Sequence, residues 1–306
     1  MAKITVIGSF VMDNVAKMKK YPEAGETVIG STLQFFPGGK GANQCVAVAR
    51  LGGDVEMVGM LGNDANGDVF RKIMVEEGIK HENVFTCNGP TAVAQIQINE
   101  EGQNRICVIP CANHEFGFEE LDKVDHIIKN TELVILQLEM RIDVTKEIIR
   151  RAHAYGVKVL LNPAPAIKLE SEILGMVDYL TPNETELSIL TDMPTESDEE
   201  VVLAANKLIE YGTKNVIATL GSRGALIANA SGNKIVSGYK VKAIDTVAAG
   251  DSFNGAFAVA LTEGKDIESA VKFANAMGAL TVQKAGAIPS LHTRAQVEEF
   301  ILSQKQ

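Results

Sequence analysis

Tryptophan is absent from this sequence, and its five histidines and four cysteines lack the spacing of a metal site. The cysteines, Cys45, Cys87, Cys107 and Cys111, form no CxxC pair, and each falls in an apolar or strand-like stretch. Free cysteines in such surroundings usually behave as small hydrophobic residues. We therefore expect reduced, partly buried thiols rather than a zinc site.

Long apolar runs and an excess of positive charge are also absent. No stretch of about 18 uncharged apolar residues occurs, which argues against a membrane-spanning helix. The chain has 29 basic and 39 acidic residues, so its formal net charge is −10. Such a protein has no general attraction for nucleic acid or for an anionic membrane, and both are disfavoured as partners. Any phosphate that it binds must be held locally.

The first eight residues, Met1 to Gly8, read as a strand followed by a glycine turn. They lack the long apolar stretch and the cleavage site of a signal peptide. Together with the unpaired cysteines, this predicts a cytoplasmic protein.

The middle of the 306-residue chain alternates short apolar strands with amphipathic helices. Strands are predicted at about 133–138, 157–161, 178–181 and 215–220, and helices at about 143–155 and 199–211, with another starting at Asn183. This alternation predicts an α/β fold with a mostly parallel central sheet and helices on both faces. Ligands of such sheets bind at the carboxyl ends of the strands.

Two segments, about 11–36 and 91–109, break this alternation and read as β-hairpins. Strands without an intervening helix cannot easily join a parallel sheet, so they are expected to form a small separate sheet, a lid over the strand ends. No repeat and no Pro/Ser-rich linker divides the chain. We therefore expect one domain, residues 1–306, with an inserted lid.

The run Asp245-Thr-Val-Ala-Ala-Gly-Asp251 is the most informative motif, because an apolar helix follows it at 253–261. Asp251 is thereby placed in the first helical turn, beside unpaired N–H groups and the positive end of the helix dipole. Such a place binds phosphate. A carboxylate there suits a base that deprotonates a hydroxyl attacking the phosphate. The alternative is a simple helix cap, and the local sequence leaves both open.

Other polar residues fall at predicted strand ends. Phe36-Pro-Gly-Gly-Lys-Gly-Ala-Asn43 opens a helix and supplies donors from Lys40 and Asn43, although a tight turn alone would also explain its glycines. It matches neither the P-loop nor the GxGxxG pattern. Glu139 directly follows the strand 133–138, where a charge can also simply be solvated.

Two further motifs suggest a nucleotide. Asn183 and Glu186 lie one helical turn apart and could orient Mg²⁺-bound water near phosphates, or could merely favour the helix start. Thr219-Leu-Gly-Ser-Arg-Gly224 reads as a strand–turn–strand whose glycines would let a flat nucleotide pack closely.

These motifs, in this order, resemble those of the ribokinase group of the PfkB carbohydrate kinase family. The resemblance extends from Asp13 to Ser290. Its two signatures are Gly38-Gly-Lys-Gly-Ala-Asn43 and the run from Asp245 to Asp251. Further matching pieces are Gln137-Leu-Glu139, Asn162-Pro-Ala-Pro165, Pro182-Asn-Glu-Thr-Glu186 and the turn 219–224.

The resemblance implies a ribokinase-like fold and transfer of the γ-phosphate of ATP to a sugar's primary hydroxyl. Asp251 would be the catalytic base, and the N–H groups of Ala248, Ala249 and Gly250 would form the anion hole. The implied sugar-binding residues are Asp13, Gly39, Lys40, Asn43, Glu139 and Asp251, with Val11 near the sugar's 2-position. The implied nucleotide-binding residues are Asn183, Thr219, Gly221, Ser222, Gly224, Gly250 and Asn275.

The resemblance also implies two cations and a partner subunit. Glu186, with Asn183, would serve Mg²⁺ through water. The monovalent cation site, usually filled by K⁺, would use Asp245 and the main-chain carbonyls of Val247, Thr281, Lys284, Gly286 and Ser290. The lid would close over the sugar and pair with the lid of a second copy, which predicts a homodimer.

One position departs from the family pattern. Ribokinases commonly carry Asn two residues before the sugar-binding Asp13, and this sequence has Val11 there. Valine cannot form hydrogen bonds, and a buried hydroxyl facing it would lose about 1–3 kcal/mol. The relative 2-deoxyribokinase carries an apolar residue at this position, so 2-deoxyribose is the alternative substrate.

D-Ribose remains the favoured substrate, because the other sugar contacts match the family. The expected reaction is the ATP-dependent phosphorylation of its 5-hydroxyl to give ribose 5-phosphate. A nucleoside kinase and a catalytically silent sugar-binding protein are the further alternatives. A silent protein would be expected to lack Asp251 or the small residues before it, and this chain has both.

Overall fold

The architecture, taken from a computed structural model that describes residues 3–304, centres on a nine-stranded sheet. Its strand order is β13-β12-β11-β10-β9-β8-β1-β4-β5. Its strands are β1 (Ile4–Ile7), β4 (Val55–Gly62), β5 (Val84–Cys87), β8 (Leu133–Leu136), β9 (Lys158–Leu161), β10 (Tyr179–Leu180), β11 (Asn215–Thr219), β12 (Gly224–Asn229) and β13 (Gly232–Ser237). The seven strands β11, β10, β9, β8, β1, β4 and β5 pair in parallel with their neighbours in the sheet. The pairs β11/β12 and β12/β13 are antiparallel. The predicted mostly parallel sheet is confirmed.

The central strands are apolar without interruption because both faces of the sheet are covered. In β8, Leu133 and Ile135 belong to one buried cluster, and Val134 and Leu136 belong to another. This separation follows from the two-residue period of a strand, which sends successive side chains to opposite faces. The continuous apolar run therefore identifies an interior parallel strand.

Helices supply the other half of each cluster, which confirms the prediction of helices on both faces. The helices are α1 (Lys40–Arg50), α2 (Ala65–Glu76), α3 (Ala112–Glu115), α4 (Phe118–Lys129), α5 (Ile142–Ala154), α6 (Ser171–Leu174), α7 (Glu184–Thr191), α8 (Asp198–Glu210), α9 (Ala249–Thr262), α10 (Ile267–Thr281) and α11 (Arg294–Ser303), with short 3-10 turns at Gly221–Arg223 and Ile288–Ser290. The first cluster includes residues of α1, α9 and α10, and the second includes residues of α4, α5 and α8.

A separate four-stranded sheet, here called the small sheet, is formed by the two segments that break the alternation. It contains β2 (Val11–Lys17), β3 (Thr32–Gly38), β6 (Val93–Ile98) and β7 (Asn104–Ile109), in the order β3-β2-β6-β7. Its two antiparallel pairs, β2/β3 and β6/β7, are joined by a parallel pairing of β2 with β6. The sequence patterns did not predict this parallel pairing. Within the two segments only β2, β3, β6 and β7 are strands, and the residues between them form loops and turns.

One expectation about the thiols is wrong. Cys45 is buried and Cys87 and Cys111 are half-buried, but Cys107 is exposed. It lies on β7, an edge strand whose residues are all exposed, so alternation along the strand gives it no buried face. Between residues 3 and 304, no helix is long and apolar enough to cross a bilayer.

Candidate active site

Asp251 lies in the first turn of α9 and does not cap it. The residue preceding the helix is Ala248, which adopts a left-handed conformation with φ 61°. Asp251 is 7% exposed, and its carboxylate accepts hydrogen bonds from two amides of α1. Asn43 Nδ2 donates to Oδ2 at 2.8 Å, and Gln44 Nε2 donates to Oδ1 at 3.0 Å. The capping alternative is therefore wrong. The carboxylate belongs to α9 and is held by hydrogen bonds from α1.

The start of α1 is anchored by Glu139. Its Oε2 accepts from the backbone N–H of Lys40 at 2.9 Å and from the hydroxyl of Ser9 at 2.5 Å. A carboxylate at a helix N-terminus is favoured by the unpaired N–H groups and the helix dipole. Glu139 is thus a bound group at the end of the β8 segment rather than a freely solvated charge.

The glycine-rich turn before α1 is fixed by close packing. Gly39 has φ 89°, and a Cβ added to it would lie 2.6 Å from the backbone nitrogen of Val11. Both the conformation and the missing side chain are therefore required at this position. The turn brings Lys40 and Asn43 beside β2.

Lys40 carries the positive charge of the site. Burial acts to lower the pKa of Lys40, but the charges of Asp251, Glu139 and Glu186 outweigh it, and the net shift is upward. The side chain therefore stays protonated among three carboxylates. A fixed cation here compensates the repulsion that these carboxylates would exert on a phosphate.

Asp13 and Val11 lie on β2 two residues apart and therefore on the same face. Burial, followed by the charge of Glu139, raises the pKa of Asp13 to about 6. Val11 is buried and packs with Ala92 and Ala94. The candidate sugar site thus combines a carboxylate with an apolar group at the departure from the family pattern.

A buried acceptor in the same region lacks a partner. Asn43 Nδ2 is bonded to Asp251, whereas Asn43 Oδ1 has no hydrogen-bond partner among residues 3–304. Leaving such an atom unsatisfied costs about 1–3 kcal/mol. A hydroxyl donor from a ligand would remove that cost after a small rearrangement, because this atom has almost no solvent contact in the present conformation.

A cavity of about 500 Å³ adjoins this region at the N-terminus of α9. All seven predicted nucleotide residues line it, and they are Asn183, Thr219, Gly221, Ser222, Gly224, Gly250 and Asn275. A Cβ on Gly250 would meet no atom within 4 Å, so space remains open beside the helix start. The volume is in the range of small-molecule sites.

The backbone donors at 248–250 differ from the simple anion hole in one respect. The N–H of Ala249 donates to the carbonyl of Thr246 at 3.3 Å, so it is not free in this conformation. The left-handed Ala248 closes the turn that makes this long bond. An anion would have to draw this donor away from Thr246, while Gly250 borders the open cavity.

Asn183 and Glu186 cap α7 and also face the site. Asn183 Oδ1 accepts from the Glu186 N–H at 2.8 Å, and the Glu186 carboxylate accepts from Asn183 N and Nδ2, each at 2.9 Å. The helix-start interpretation therefore holds for both. Burial foremost, and then the charge of Asp251, raise the pKa of Glu186, which indicates that the two carboxylates share one region.

The residues predicted for a monovalent cation lie on segments that meet at Asp245. Its Oδ1 accepts from the Val247 N–H at 3.0 Å, and its Oδ2 accepts from the Gly286 N–H at 2.9 Å. Thr281 and Ser290 are fully buried. The carbonyl of Thr281 accepts from the Lys284 N–H at 3.2 Å, so this oxygen is already engaged.

Comparison with known proteins decides the family. The family model described as pfkB family carbohydrate kinase matches residues 1–294. The chain belongs to the pfkB family. As a member, it is a phosphotransferase that acts on a sugar hydroxyl.

Relatives of the chain within the pfkB family include ribokinases and deoxyribokinases. It is 38% identical to a ribokinase of Bacillus subtilis, over 98% of this chain and 100% of the relative. It is 40% identical to a ribokinase of Lactococcus lactis, over 98% of both chains. A deoxyribokinase of Salmonella typhi is 35% identical over 97% of this chain and 98% of its own.

Solved structures of pfkB-type kinases agree with the fold. A ribokinase of Thermotoga maritima is 39% identical and superposes with a TM-score of 0.90, over 99% of this chain and 100% of its own. An Arabidopsis thaliana ribokinase complexed with ribose and ATP is 34% identical, with a TM-score of 0.92 over 98% of both chains.

Several polar residues of this pfkB site received no role from the sequence, although two of them, Gln137 and Asn162, lie in matching pieces. They share deep burial and hydrogen bonds that lead to Asp251 or Glu139, and they are Ser9, Gln44, Gln137, Asn162 and Asn254. Gln44 had one available signal, because it lies four residues after Lys40 on the same helix face. The apolar residues Tyr239, Val241, Phe253 and Val282, which line the cavity, lie outside any recognised motif.

Proposed function

We propose that this pfkB kinase transfers the γ-phosphate of ATP to the 5-hydroxyl of D-ribose, giving ribose 5-phosphate. The observation that carries the proposal is the placement of Asp251. Its buried carboxylate accepts a hydrogen bond from Asn43 of α1 and directly follows Gly250, which lines the nucleotide-sized cavity. Two relatives named ribokinase, and a similar structure with ribose and ATP, support this choice of substrates.

In the proposed mechanism, Asp13, Asn43 and Glu139 orient the sugar, and the free Oδ1 of Asn43 accepts one of its hydroxyls. The Asp251 carboxylate takes the proton of the 5-hydroxyl as that oxygen attacks phosphorus. Lys40 and the N–H groups at the start of α9 stabilise the negative charge on the transferring group. Holding both reactants in line supplies much of the rate acceleration.

The donor sets fit both proposed cations. Burial and then the charge of Asp251 raise the pKa of Glu186, so the two carboxylates share one region. Such a region suits Mg²⁺ held by one or two carboxylates, water and phosphates. When bound, Mg²⁺ would neutralise charge on the phosphates. Asp245 and the neighbouring carbonyl oxygens form an oxygen-only set that suits K⁺. We infer that K⁺ would stabilise the 245–250 turn.

An assay of free pentoses, hexoses and nucleosides with ATP tests the proposal. D-Ribose or 2-deoxy-D-ribose should be phosphorylated, with loss of activity when Mg²⁺ is removed and a lower rate without K⁺. Transfer to nucleosides alone would support the nucleoside kinase alternative. Absence of transfer to any of these acceptors would contradict the proposal and favour a silent binding protein.

The alternative substrate, 2-deoxy-D-ribose, is favoured by one specific observation. Val11 is buried on the face of β2 that carries Asp13, where it offers the sugar no hydrogen bond. We expect kcat/KM for D-ribose to exceed that for 2-deoxy-D-ribose by less than a hundredfold. Val11→Asn should raise the preference for ribose by about tenfold, because it restores a partner for the 2-hydroxyl. A hundredfold preference for ribose in the unaltered protein would contradict this.

We also propose that the small sheet is a lid that excludes water and pairs with the small sheet of a second copy. Leu33 and Phe35, each 59% exposed, lie on the face of the small sheet opposite to Asp13. Ile106 and Val108 lie on the same face as Asp13 and are 56% and 52% exposed. Exposed apolar side chains of this kind indicate a contact between proteins. The homodimer would cover the face formed by Leu33 and Phe35.

Sedimentation velocity measurements test the dimer. The unaltered protein should sediment as two chains, and Leu33→Glu with Phe35→Glu should sediment as one, because charges would be buried without partners. Leu203→Glu, which charges a comparably exposed apolar side chain on α8, is the matched control and should remain a dimer. A monomeric unaltered protein would contradict the proposal.

A further inference from the structure

We propose that Gln44 is a positioning residue that holds the Asp251 carboxylate in its reactive orientation. Gln44 is fully buried. Its Nε2 donates to Asp251 Oδ1 at 3.0 Å and to Asn162 Oδ1 at 3.1 Å, and its Oε1 accepts from Gln137 Nε2 at 2.7 Å. The inference rests on the proposed function, in which Asp251 is the base.

The orientation of the Gln44 amide follows from its neighbours. Its nitrogen faces the oxygens of Asp251 and Asn162, and its oxygen faces the amide nitrogen of Gln137. A carboxylate can only accept hydrogen bonds, so the reversed amide would set three oxygens together and two nitrogens together. One donor is therefore always directed at Asp251.

Gln44 cannot act by contacting the sugar or the nucleotide. Both of its polar atoms are bonded to protein groups, and no part of the residue is exposed. Asn43 differs, because it also donates to Asp251 but has a free Oδ1. The two neighbouring amides thus have separate roles: Asn43 serves the base and the substrate, and Gln44 serves the base alone.

The close approach of α1 and α9 lets this short side chain reach Asp251. A Cβ on Gly255 would lie 2.6 Å from Ala47 Cβ and 3.0 Å from the Gln44 carbonyl oxygen. Gly255 follows Asp251 by one helical turn, so the two helices nearly touch directly below the carboxylate. Any larger residue at this point would separate the donor from its acceptor.

The bonds of Gln44 continue into a buried network. Asn162 Nδ2 donates to the Thr181 carbonyl at 3.2 Å, and Thr181 Oγ1 donates to Asn254 Oδ1 at 2.6 Å. Asn254 Nδ2 in turn donates to the Gly250 carbonyl at 2.8 Å. The carboxylate of Asp251 and the backbone of Gly250 are therefore both tied to residues at the ends of β9 and β10. Such support fixes reacting groups relative to the rigid sheet.

The test compares Gln44→Met with the unaltered protein. Methionine keeps the length of the side chain but donates no hydrogen bond, so we expect kcat to fall by about 10- to 100-fold. KM for sugar and for ATP should change by less than about threefold, because no substrate contact is lost. The loss should therefore appear in kcat, whereas general damage to the site would also raise KM.

Two further variants separate positioning from general damage. Thr213→Val removes a buried hydrogen bond, Oγ1 to the Leu174 carbonyl at 3.2 Å, near the opposite end of the sheet, and should leave kcat and KM unchanged. Gln137→Met removes the partner of Gln44 Oε1 and should lower kcat several-fold with KM nearly unchanged. This second variant provides the test if Gln44→Met does not fold.

The outcomes are distinguishable from failure of the proposed function. If the unaltered protein phosphorylates a sugar and Asp251→Asn does not, but Gln44→Met (or, where it does not fold, Gln137→Met) stays within twofold of the unaltered kcat, only the role of Gln44 is overturned. A KM for sugar or ATP that rises by more than about tenfold would likewise overturn it, because general damage to the site predicts that result. If the unaltered protein phosphorylates no sugar, the proposed function and this inference both fail.

Discussion

Asp251→Asn will bind sugar and ATP but will turn over about 10²- to 10⁴-fold more slowly than the unaltered protein. Asparagine has nearly the same shape as aspartate, so the pocket is preserved. Its amide cannot take a proton from the attacking hydroxyl at neutral pH. The loss should therefore appear in kcat, with little change in the dissociation constants of the two substrates.

The surroundings of Asp251 predict a second effect of this change. Asn43 Nδ2 and Gln44 Nε2 each donate to one carboxylate oxygen, whereas asparagine offers one oxygen and one donor. One of the two amides loses its acceptor, which should lower the free energy of unfolding by about 1–3 kcal/mol. Calorimetric binding and thermal unfolding should thus report intact sites in a less stable protein.

Asp266→Asn is the matched control, because Asp266 also begins a helix, α10. Its side chain accepts from the Ser269 N–H at 2.8 Å, and asparagine caps helices about as well as aspartate does. We expect unchanged kcat and nearly unchanged stability. More than about a tenth of the activity remaining in Asp251→Asn would contradict the role of this residue as the base.

Asp13→Asn is expected to stabilise the protein at neutral pH while weakening sugar binding by at least about tenfold. The pKa of Asp13 is raised from 3.8 to about 6, first by burial and then by the charge of Glu139. Above about pH 6 the Asp13 carboxylate is charged in the folded state, and this charge lowers the free energy of unfolding. Asparagine removes that charge and also removes an acceptor for sugar hydroxyls.

The sign of the pH dependence follows from the direction of the shift. Between about pH 4 and 6 the folded state binds more protons at Asp13 than the unfolded state, so the cost appears as the pH rises through this window. The full shift corresponds to about 3 kcal/mol. Because the carboxyl is partly exposed, we expect a gain of about 1–2 kcal/mol at pH 7.5 in Asp13→Asn. The gain should vanish near pH 4.

Urea unfolding at pH 7.5 and pH 4.5, together with sugar binding by calorimetry, checks both parts. Glu101→Gln, an exposed carboxylate in the β6–β7 turn, is the control and should change neither quantity. A variant less stable than the unaltered protein at pH 7.5 would contradict the account of the Asp13 carboxyl. Equal sugar affinity would contradict its proposed contact with the sugar.

Much of the nucleotide side of the site could be predicted because it depends on local signals. Helix starts and glycine turns that follow parallel strands meet at one edge of the sheet, so Thr219, Gly250 and Asn275 line one cavity although they are distant in sequence. The same locality explains why Asn183 and Glu186 were correctly recognised as a possible helix start.

Features that depend on distant partners could not be predicted in the same way. The parallel pairing of β2 with β6 joins segments about 80 residues apart, and neither strand specifies its partner. The role of Gln44 depends on the contact between α1 and α9. This contact requires a residue without a side chain at Gly255. The engaged N–H of Ala249 follows from the left-handed Ala248, a conformation that alanine rarely adopts.

The junction at Gly39 makes the tolerance to substitution unequal between the two edges of the small sheet. Gly39 is the one residue between the last residue of β3 and the first residue of α1, and its missing side chain also leaves room for the backbone of Val11. Substitutions in the edge strand β7 change only exposed side chains. A substitution at the Gly39 junction would displace the small sheet and Lys40 together. We therefore expect insertions and varied sequence among relatives in the loop 18–31, and a fixed chain length from Gly38 to Asn43.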